Sequence, residues 1–299
     1  MIGQTETLEL HQLRSFLAVA EEGHFTRAAE RLYLSQPAVS AHVKALEARL
    51  GLELFARTPK GVQLTDAGRA IRDEARKVLA GVGNLLAQAR ALRGELGGGV
   101  RLGLNTDPVF LRVPRFLTGM RAAYPKLEFQ LIQGLSGVVL SDIKSGKLDA
   151  GFVFMQPEST RVSHVTLGTS RLRVVAPTAW AERIQGLDWK GLTALPWILT
   201  PPACPFRRVA NRMFAQAGAK PAQVVVADLE AIVRALVTEG DGLGLLREDA
   251  ALEAARAGDV AVWDGEAVTL ELSFAFLRTR EQDPLIRAMV HELLDVWRP

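Results

Sequence analysis

Gln36, Ser40 and Lys44 recur at four-residue intervals in the stretch from Ser35 to Lys44. On a helix, where successive residues turn by about 100°, residues four apart share a face. Pro37 and Ala41 lie beside this row, and Val39, Val43, Leu46 and Leu50 fall on roughly the opposite side. An amide, a hydroxyl and an ammonium in a row, on a helix held by its other face, have the chemistry to read base edges in a major groove. The amide can bond adenine bidentately, and the ammonium can reach guanine or phosphate. His42 falls nearer the apolar flank and is not expected to touch a base. An ordinary solvated helix face would carry the same residue types, so the row needs support from its surroundings.

A second cationic feature supplies that support. Phe55-Ala56-Arg57 and Val62-Gln63-Leu64 can pair across Thr58-Pro59-Lys60-Gly61. The hairpin would present Arg57 and Lys60 on a wing beside the helix, placed to lie along backbone phosphates or enter the minor groove. From Phe25 to Thr65 the cations Arg27, Arg31, Lys44, Arg49, Arg57 and Lys60 stand against Glu30, Glu47 and Glu53, a locally basic segment as phosphate contact requires. The whole-chain net charge of +3 decides nothing by itself.

The elements that must position these residues can be read from spacing. Leu10, Leu13, Leu17 and Ala20 mark one amphipathic helix. Thr26 can cap a second, Arg27 to Leu32, and Ser35 a third, with Pro37 in its first turn and Gly51 at its end. The very short Tyr33-Leu34 link between the second and third helices predicts a helix-turn-helix. A long helix follows from Thr65-Asp66 to about Leu96. Its Ile71, Ala75, Val78, Val82, Leu85, Ala89, Leu92 and Leu96 alternate steps of four and three, the seam of a paired helix. Gly81 and Gly83 weaken it by roughly 1 kcal/mol each, which suits either close approach of a partner backbone or a kink. Gly97-Gly98-Gly99 is expected to break the helix and act as a flexible joint.

From Val100 onward, β-rich and helical stretches alternate. Strands are expected at Val100–Leu104, Phe129–Ile132, Ala150–Phe154, Leu172–Ala176, Trp197–Leu199, Val224–Val226 and Thr269–Phe276. Helices are expected at Pro108–Ala123, Gly137–Ser145 and Pro284–Trp297. Such alternation predicts parallel-type sheets with helices on both faces, arranged as two lobes around a cleft.

The segment Phe25-Thr26-Arg27-Ala28-Ala29-Glu30-Arg31-Leu32, then Leu34-Ser35-Gln36-Pro37-Ala38-Val39-Ser40, then Leu46-Glu47, Leu50-Gly51, Leu54-Phe55, Arg57 and Leu64-Thr65-Asp66-Ala67-Gly68 closely resembles the N-terminal signature of LysR-type transcriptional regulators. Tyr124-Pro125, Gly134-Leu135-Ser136, Gly146-Lys147-Leu148-Asp149-Ala150 and Gly240-Asp241-Gly242-Leu243-Gly244-Leu245-Leu246 follow the family layout less sharply. The resemblance implies an N-terminal all-α winged helix-turn-helix (1–65), a long linker and dimerisation helix (66–96) and a C-terminal α/β effector domain (97–299) resembling periplasmic binding proteins. Lobe one would take about 100–161 and 268–299, and lobe two about 162–267. It further implies a homodimer, commonly a homotetramer, on two-fold promoter DNA with a T…A core, with RNA polymerase as a compatible further partner. By position, Thr26, Ser35, Gln36, Pro37, Ser40, Lys44 and Arg57, with Lys60 of the wing, would contact DNA. Two departures stand out: Ala41 where many members carry Arg, and Arg247 in place of the Pro that usually follows the glycine-rich Leu-Leu.

In a two-lobed α/β domain, ligands sit where strand ends meet helix N-termini. The candidates are Thr106, Asp107, Ser136, Thr200, Pro201, Cys204, Phe206, Asp228 and Glu230. Thr106 and Ser136 resemble the family's effector-contacting positions, and helix capping would equally explain Asp107 and Ser136. Asp107, Asp228 and Glu230 together would repel a simple anion, which leaves a polar or cationic effector open although the family often senses carboxylates. Cys204, the single cysteine, forms no internal disulfide and fits a reducing cytoplasm. It reads better as a small buried apolar residue than as a redox or soft-metal sensor.

No run of about eighteen apolar residues is present, and the first residues lack a signal-peptide pattern. No metal or other cofactor is expected, and no membrane partner. An enzyme is disfavoured by the absence of metal-type His/Cys spacing, G-x-S-x-G and P-loop motifs. Gly240-x-Gly242-x-Gly244 follows a helix and leads into a strand, the reverse of a dinucleotide fingerprint. A plain solute-binding protein would leave everything before Gly97 without a use.

Overall fold

The computed structural model describes residues 8–59, 61–91, 96–154, 159–221 and 223–298. Two compact units emerge: one takes residues up to Glu95 together with Ser145–Lys147, the other takes the rest.

In the first unit, α1 (Leu10–Glu22), α2 (Phe25–Leu32) and α3 (Gln36–Leu50) precede a hairpin of β1 (Phe55–Thr58) and β2 (Gly61–Leu64), then α4 (Asp66–Ala91). Their shared core holds Leu13, Phe16, Val19, Ala28, Ala29, Val39, Val43, Leu46, Leu54 and Ala75. On α1 the buried stripe therefore runs through Leu13, Phe16 and Val19, and Leu10 stays exposed. Ser35 caps α3, its Oγ accepting from Ala38 N at 3.3 Å, and Gly51 ends it in the left-handed region. Thr26 is not a cap: α2 begins at Phe25 with His24 at its N-cap, so Thr26 already lies inside the helix. Tyr33, with φ 55, makes the turn between α2 and α3. Thr65 opens α4 by accepting from Gly68 N at 2.9 Å while donating to Glu53 O at 2.7 Å.

Helix α4 runs unbroken through Gly81 and Gly83. Its seam divides in two: Ile71 and Ala75 pack into the core of their own unit, whereas Val78 and Leu85 are 47% and 66% exposed. Leu92 lies outside the described residues, and Leu96 belongs to the second unit.

The second unit runs β3 (Gly97–Leu104), α5 (Val113–Ala123), β4 (Lys126–Gln133), α6 (Ser136–Lys144), β5 (Ala150–Val153) and β6 (Val162–Pro177), then α7 (Ala181–Ile184), α8 (Trp189–Thr193), β7 (Trp197–Leu199) and α9 (Pro205–Gln216). It continues with β8 (Val224–Val226), α10 (Glu230–Glu239), β9 (Gly244–Arg247), α11 (Glu248–Arg256), β10 (Val260–Val262), β11 (Val268–Leu277) and α12 (Pro284–Trp297). Gly97-Gly98-Gly99 is not a free joint: it is the start of β3, paired in parallel register with Lys126, Leu127 and Glu128. Glycine lacks the side chain that would favour a strand, but its N–H and C=O groups pair like any others, and a neighbouring strand edge decides its state.

The main sheet is mixed rather than parallel-type. Its strand order is β10-β6-β11-β5-β3-β4, with β9 on the other side of β6. β3 pairs in parallel with β4 and β5, but β11 pairs antiparallel with both β5 and β6. The half of β6 from Val162 to Leu172 pairs with β11, and the following half is flanked by β9 and β10. One strand thus belongs to both lobes, and the expected boundary at 161/162 falls at its start.

A Cβ at Gly68 would sit 2.1 Å from Leu54 O, a backbone atom that cannot swing away. Gly68→Ala is expected to destabilise the first unit by about 1–3 kcal/mol through overpacking, read as a lowered melting temperature in circular dichroism; an unchanged melt would contradict this packing.

Candidate nucleic-acid interface and ligand cleft

On α3 the two faces separate cleanly. Val39, Val43 and Leu46 are buried, Gln36, Pro37, Ala41 and Lys44 are exposed, and Ser40 is half-buried. His42 turns to α1, where its Nδ1 lies 2.9 Å from Ser15 Oγ and its ring meets His11 edge-on. The buried stripe is what orients Gln36, Ser40 and Lys44 outward, because rotating them inward would bury charge and expose three core side chains.

The wing is anchored at both ends. Glu47 Oε1 accepts from Leu54 N and Phe55 N at 2.8 and 3.4 Å, and Val62 N donates to Gly23 O at 2.9 Å. Gly61, with φ +128, permits the close approach, since a Cβ there would lie 2.4 Å from Gly23 O. Arg57 is exposed on β1, opposite Val62; Lys60 lies outside the described residues. Arg31 is held by Glu21 and Glu22 at 2.8 and 3.2 Å, and Arg27 donates to the Glu22 carbonyl. These two cations of the basic segment therefore serve the fold, which leaves Lys44, Arg49 and Arg57 as its other exposed cations among the described residues.

In the second unit a cavity of about 980 Å³ opens between the ends of β3 and β4 and the starts of α6, α9 and α10. Thr106, Asp107, Ser136, Thr200, Cys204, Phe206, Asp228 and Glu230 all line it, but Pro201 does not. Asp107 Oδ1 accepts from Val109 N and Phe110 N at 2.9 and 2.8 Å, a turn-capping role. Ser136 Oγ accepts from Phe154 N and Asn105 Nδ2 at 3.1 and 3.2 Å. Phe110, Phe154 and Phe206 form an aromatic wall, with successive ring centroids 6.0 and 5.6 Å apart.

At the floor lies Arg247, 5% exposed. Its Nε and one terminal nitrogen reach Asp249 at 3.1 Å each, the other terminal nitrogen reaches Glu230 Oε2 at 2.8 Å and Thr106 Oγ1, and the guanidinium stacks over Phe110 at 4.1 Å. Arg247 N also donates to Glu230 Oε1 at 2.8 Å. Burial pushes the Glu230 carboxyl above its ordinary value, an effect that the Arg247 charge opposes without cancelling. Burial likewise raises the Cys204 thiol, leaving little nucleophilic thiolate. Among the described residues, no three His, Cys, Asp or Glu side chains cluster to hold a metal.

A winged helix-turn-helix and a two-lobed α/β unit in one chain can be set against known proteins. The profile for "Bacterial regulatory helix-turn-helix protein, lysR family" matches residues 10–69, and that for "LysR substrate binding domain" matches residues 93–298. The chain belongs to the LysR family of transcriptional regulators. Among its relatives, the HTH-type transcriptional regulator TfdT of Cupriavidus pinatubonensis is 38% identical over 178 residues, covering 59% of this chain and 78% of that protein. The hydrogen peroxide-inducible genes activator of Dickeya chrysanthemi is 31% identical over 244 residues, covering 80% and 79%. The crystal structure of full-length CbnR complexed with its target DNA superposes with a TM-score of 0.65 at 25% identity, covering 96% of this chain and 99% of that one.

In this LysR-type regulator, residue spacing pointed to most of the cleft but missed Asn105, Phe110 and Phe154. Arg247, which departs from the family pattern, is one of the residues that line the cleft. Glu230, whose folded pKa is raised, binds its proton more tightly in the folded than in the unfolded state. The stability it contributes is complete below its unfolded pKa and is lost as pH rises through the folded one. Arg247→Met removes the opposing charge and pushes Glu230 higher still. Thermal melts of variant and parent at about pH 5 and pH 7.5 should show the larger deficit at the higher pH; an equal deficit at both would refute the coupling.

Proposed function

We propose that the regulator binds two-fold promoter duplexes as a homodimer, or a pair of dimers, in the bacterial cytoplasm, and that a small molecule in its cleft tunes this binding. The observation that carries the reading is the division of α3 into a buried Val39/Val43/Leu46 stripe and an outward Gln36/Ser40/Lys44 row. We assign base reading to Gln36 and Ser40 and phosphate contact to Ser35, Pro37, Lys44 and Arg57, and we carry Thr26 and Lys60 over as further contacts from the family resemblance. CbnR was solved with its target DNA, and we carry that class of partner to this chain. RNA polymerase is the further partner such a regulator would meet. No helix among the described residues is long and apolar enough to cross a membrane.

Dimerisation is assigned to α4, whose Val78, Leu85 and Leu86 are left exposed on the single chain. Apolar side chains recurring at heptad spacing on an uncovered helix lose solvent contact when two copies pair. The relatives are named as transcriptional regulators, and we read this chain as one without catalytic activity or a resident cofactor.

Fluorescence anisotropy on duplexes selected by the protein from a random pool tests the assignment. Gln36→Ala should cost about 1–3 kcal/mol of discrimination between selected and scrambled duplexes, with melting temperature and dimer unchanged; intact discrimination would remove α3 from the groove. Val82→Asp should turn the dimer into monomer in light scattering, because it places unpaired charge in the seam. A persisting dimer would move the interface elsewhere.

A further inference from the structure

The charges lining the cleft are unbalanced. Asp107, Asp228, Glu230, Asp249 and Glu253 supply carboxylates, and only Arg234 and Arg247 supply cations among the described lining residues. Both cations are already engaged. Arg234 reaches Asp259 at 2.6 Å and Glu253 at 3.8 Å, and Arg247 is held by Asp249, Glu230 and Thr106 as above. An incoming carboxylate would therefore have to displace a protein carboxylate from its guanidinium.

Several backbone donors around the cleft are occupied as well. Gly137 N donates to Ala203 O at 3.0 Å, Val109 N and Phe110 N serve Asp107, and Arg247 N serves Glu230. Two buried side-chain oxygens of the lining are under-satisfied. The buried Asn105 Oδ1 has no hydrogen-bond partner, and Thr200 Oγ1, on a residue 8% exposed, has only the Cys204 thiol beside it. Buried polar atoms without partners are costly, and a ligand N–H that reaches them recovers that cost. The wall of Phe110, Phe154 and Phe206 offers apolar surface for a ligand body and ring faces that attract cations.

We propose that the effector is a small organic cation, an ammonium, amidinium or guanidinium on an apolar body, bound with its N–H groups toward Thr200 and Asn105 and its charge beside Asp228 and Asp107. This assignment rests on the effector-cleft reading and names the ligand class for it. Its positive charge brings the lining closer to neutrality, whereas an anion would add to the excess.

Calorimetry on the full chain with benzamidine, benzamide and benzoate, which share a ring and differ in charge, tests the class; agmatine serves as a non-aromatic cation. Benzamidine is expected to bind at least about tenfold more tightly than benzamide, with benzoate weakest. Asp228→Asn, a change at an exposed position, should reduce benzamidine affinity several-fold and leave benzamide unchanged. Benzoate binding as tightly as benzamidine, or no binding of either cation at millimolar concentration, overturns the cation assignment. Anisotropy with a selected duplex separates the two readings. Benzoate that binds and shifts DNA affinity keeps the effector cleft and discards the cation. Cation-selective binding that leaves DNA affinity untouched keeps the cation site and discards the effector role.

Discussion

The ligand-binding half of this molecule is organised around one buried cation. Arg247 sits at the end of β9, yet it reaches the loop after β3 through Thr106 and the start of α10 through Glu230. Removing a guanidinium from water is unfavourable unless its donors are met. The surrounding oxygens, and the Phe110 ring beneath it, have to converge for the fold to tolerate it. That requirement fixes the distance between the two walls of the cleft, and through the Asp107 turn it fixes where Phe110 stands.

A parallel constraint operates in the DNA-binding half, with apolar rather than ionic means. The stripe on α3 and the buried Leu54 define how the helix lies, and Glu47 transmits that orientation to the wing by capping Leu54 N and Phe55 N. The outward row of α3 and the wing are therefore tied to each other through Glu47. Arg27 and Arg31 bind acidic and carbonyl groups at the end of α1, which shows why a count of cations along the sequence overstates the charge available to phosphate.

Local signals were legible in proportion to how local their causes are. The Ser35 cap, the left-handed Gly51, the hairpin register and the limits of β7, β8 and α12 depend on neighbours a few residues away, and all follow from the sequence. Thr26 failed as a cap because α2 begins two residues earlier than Arg27, at Phe25. The triple glycine failed because its state is set by β4, far along the chain. β6 was read only from Leu172 to Ala176, since its first half, with Ser163, His164, Thr166 and Gly168, lacks apolar periodicity and owes its extended form to β11. In the cleft, strand-end logic located the polar lining, but the hydrogen bonds and ion pair joining Thr106, Glu230 and Arg247 connect positions up to 141 residues apart.

The sharing of β6 between the lobes has a mechanical consequence. Where two halves of a binding site are joined by flexible loops, they swing about a few pivot residues. Here they are joined by continuous, hydrogen-bonded strand, so opening the cleft means twisting a ladder whose bonds each yield slightly. Such a leaf spring distributes its elastic energy over the β6/β11 pairing and returns to one resting geometry. A torsion at the cleft is then taken up along that ladder rather than at a single pivot.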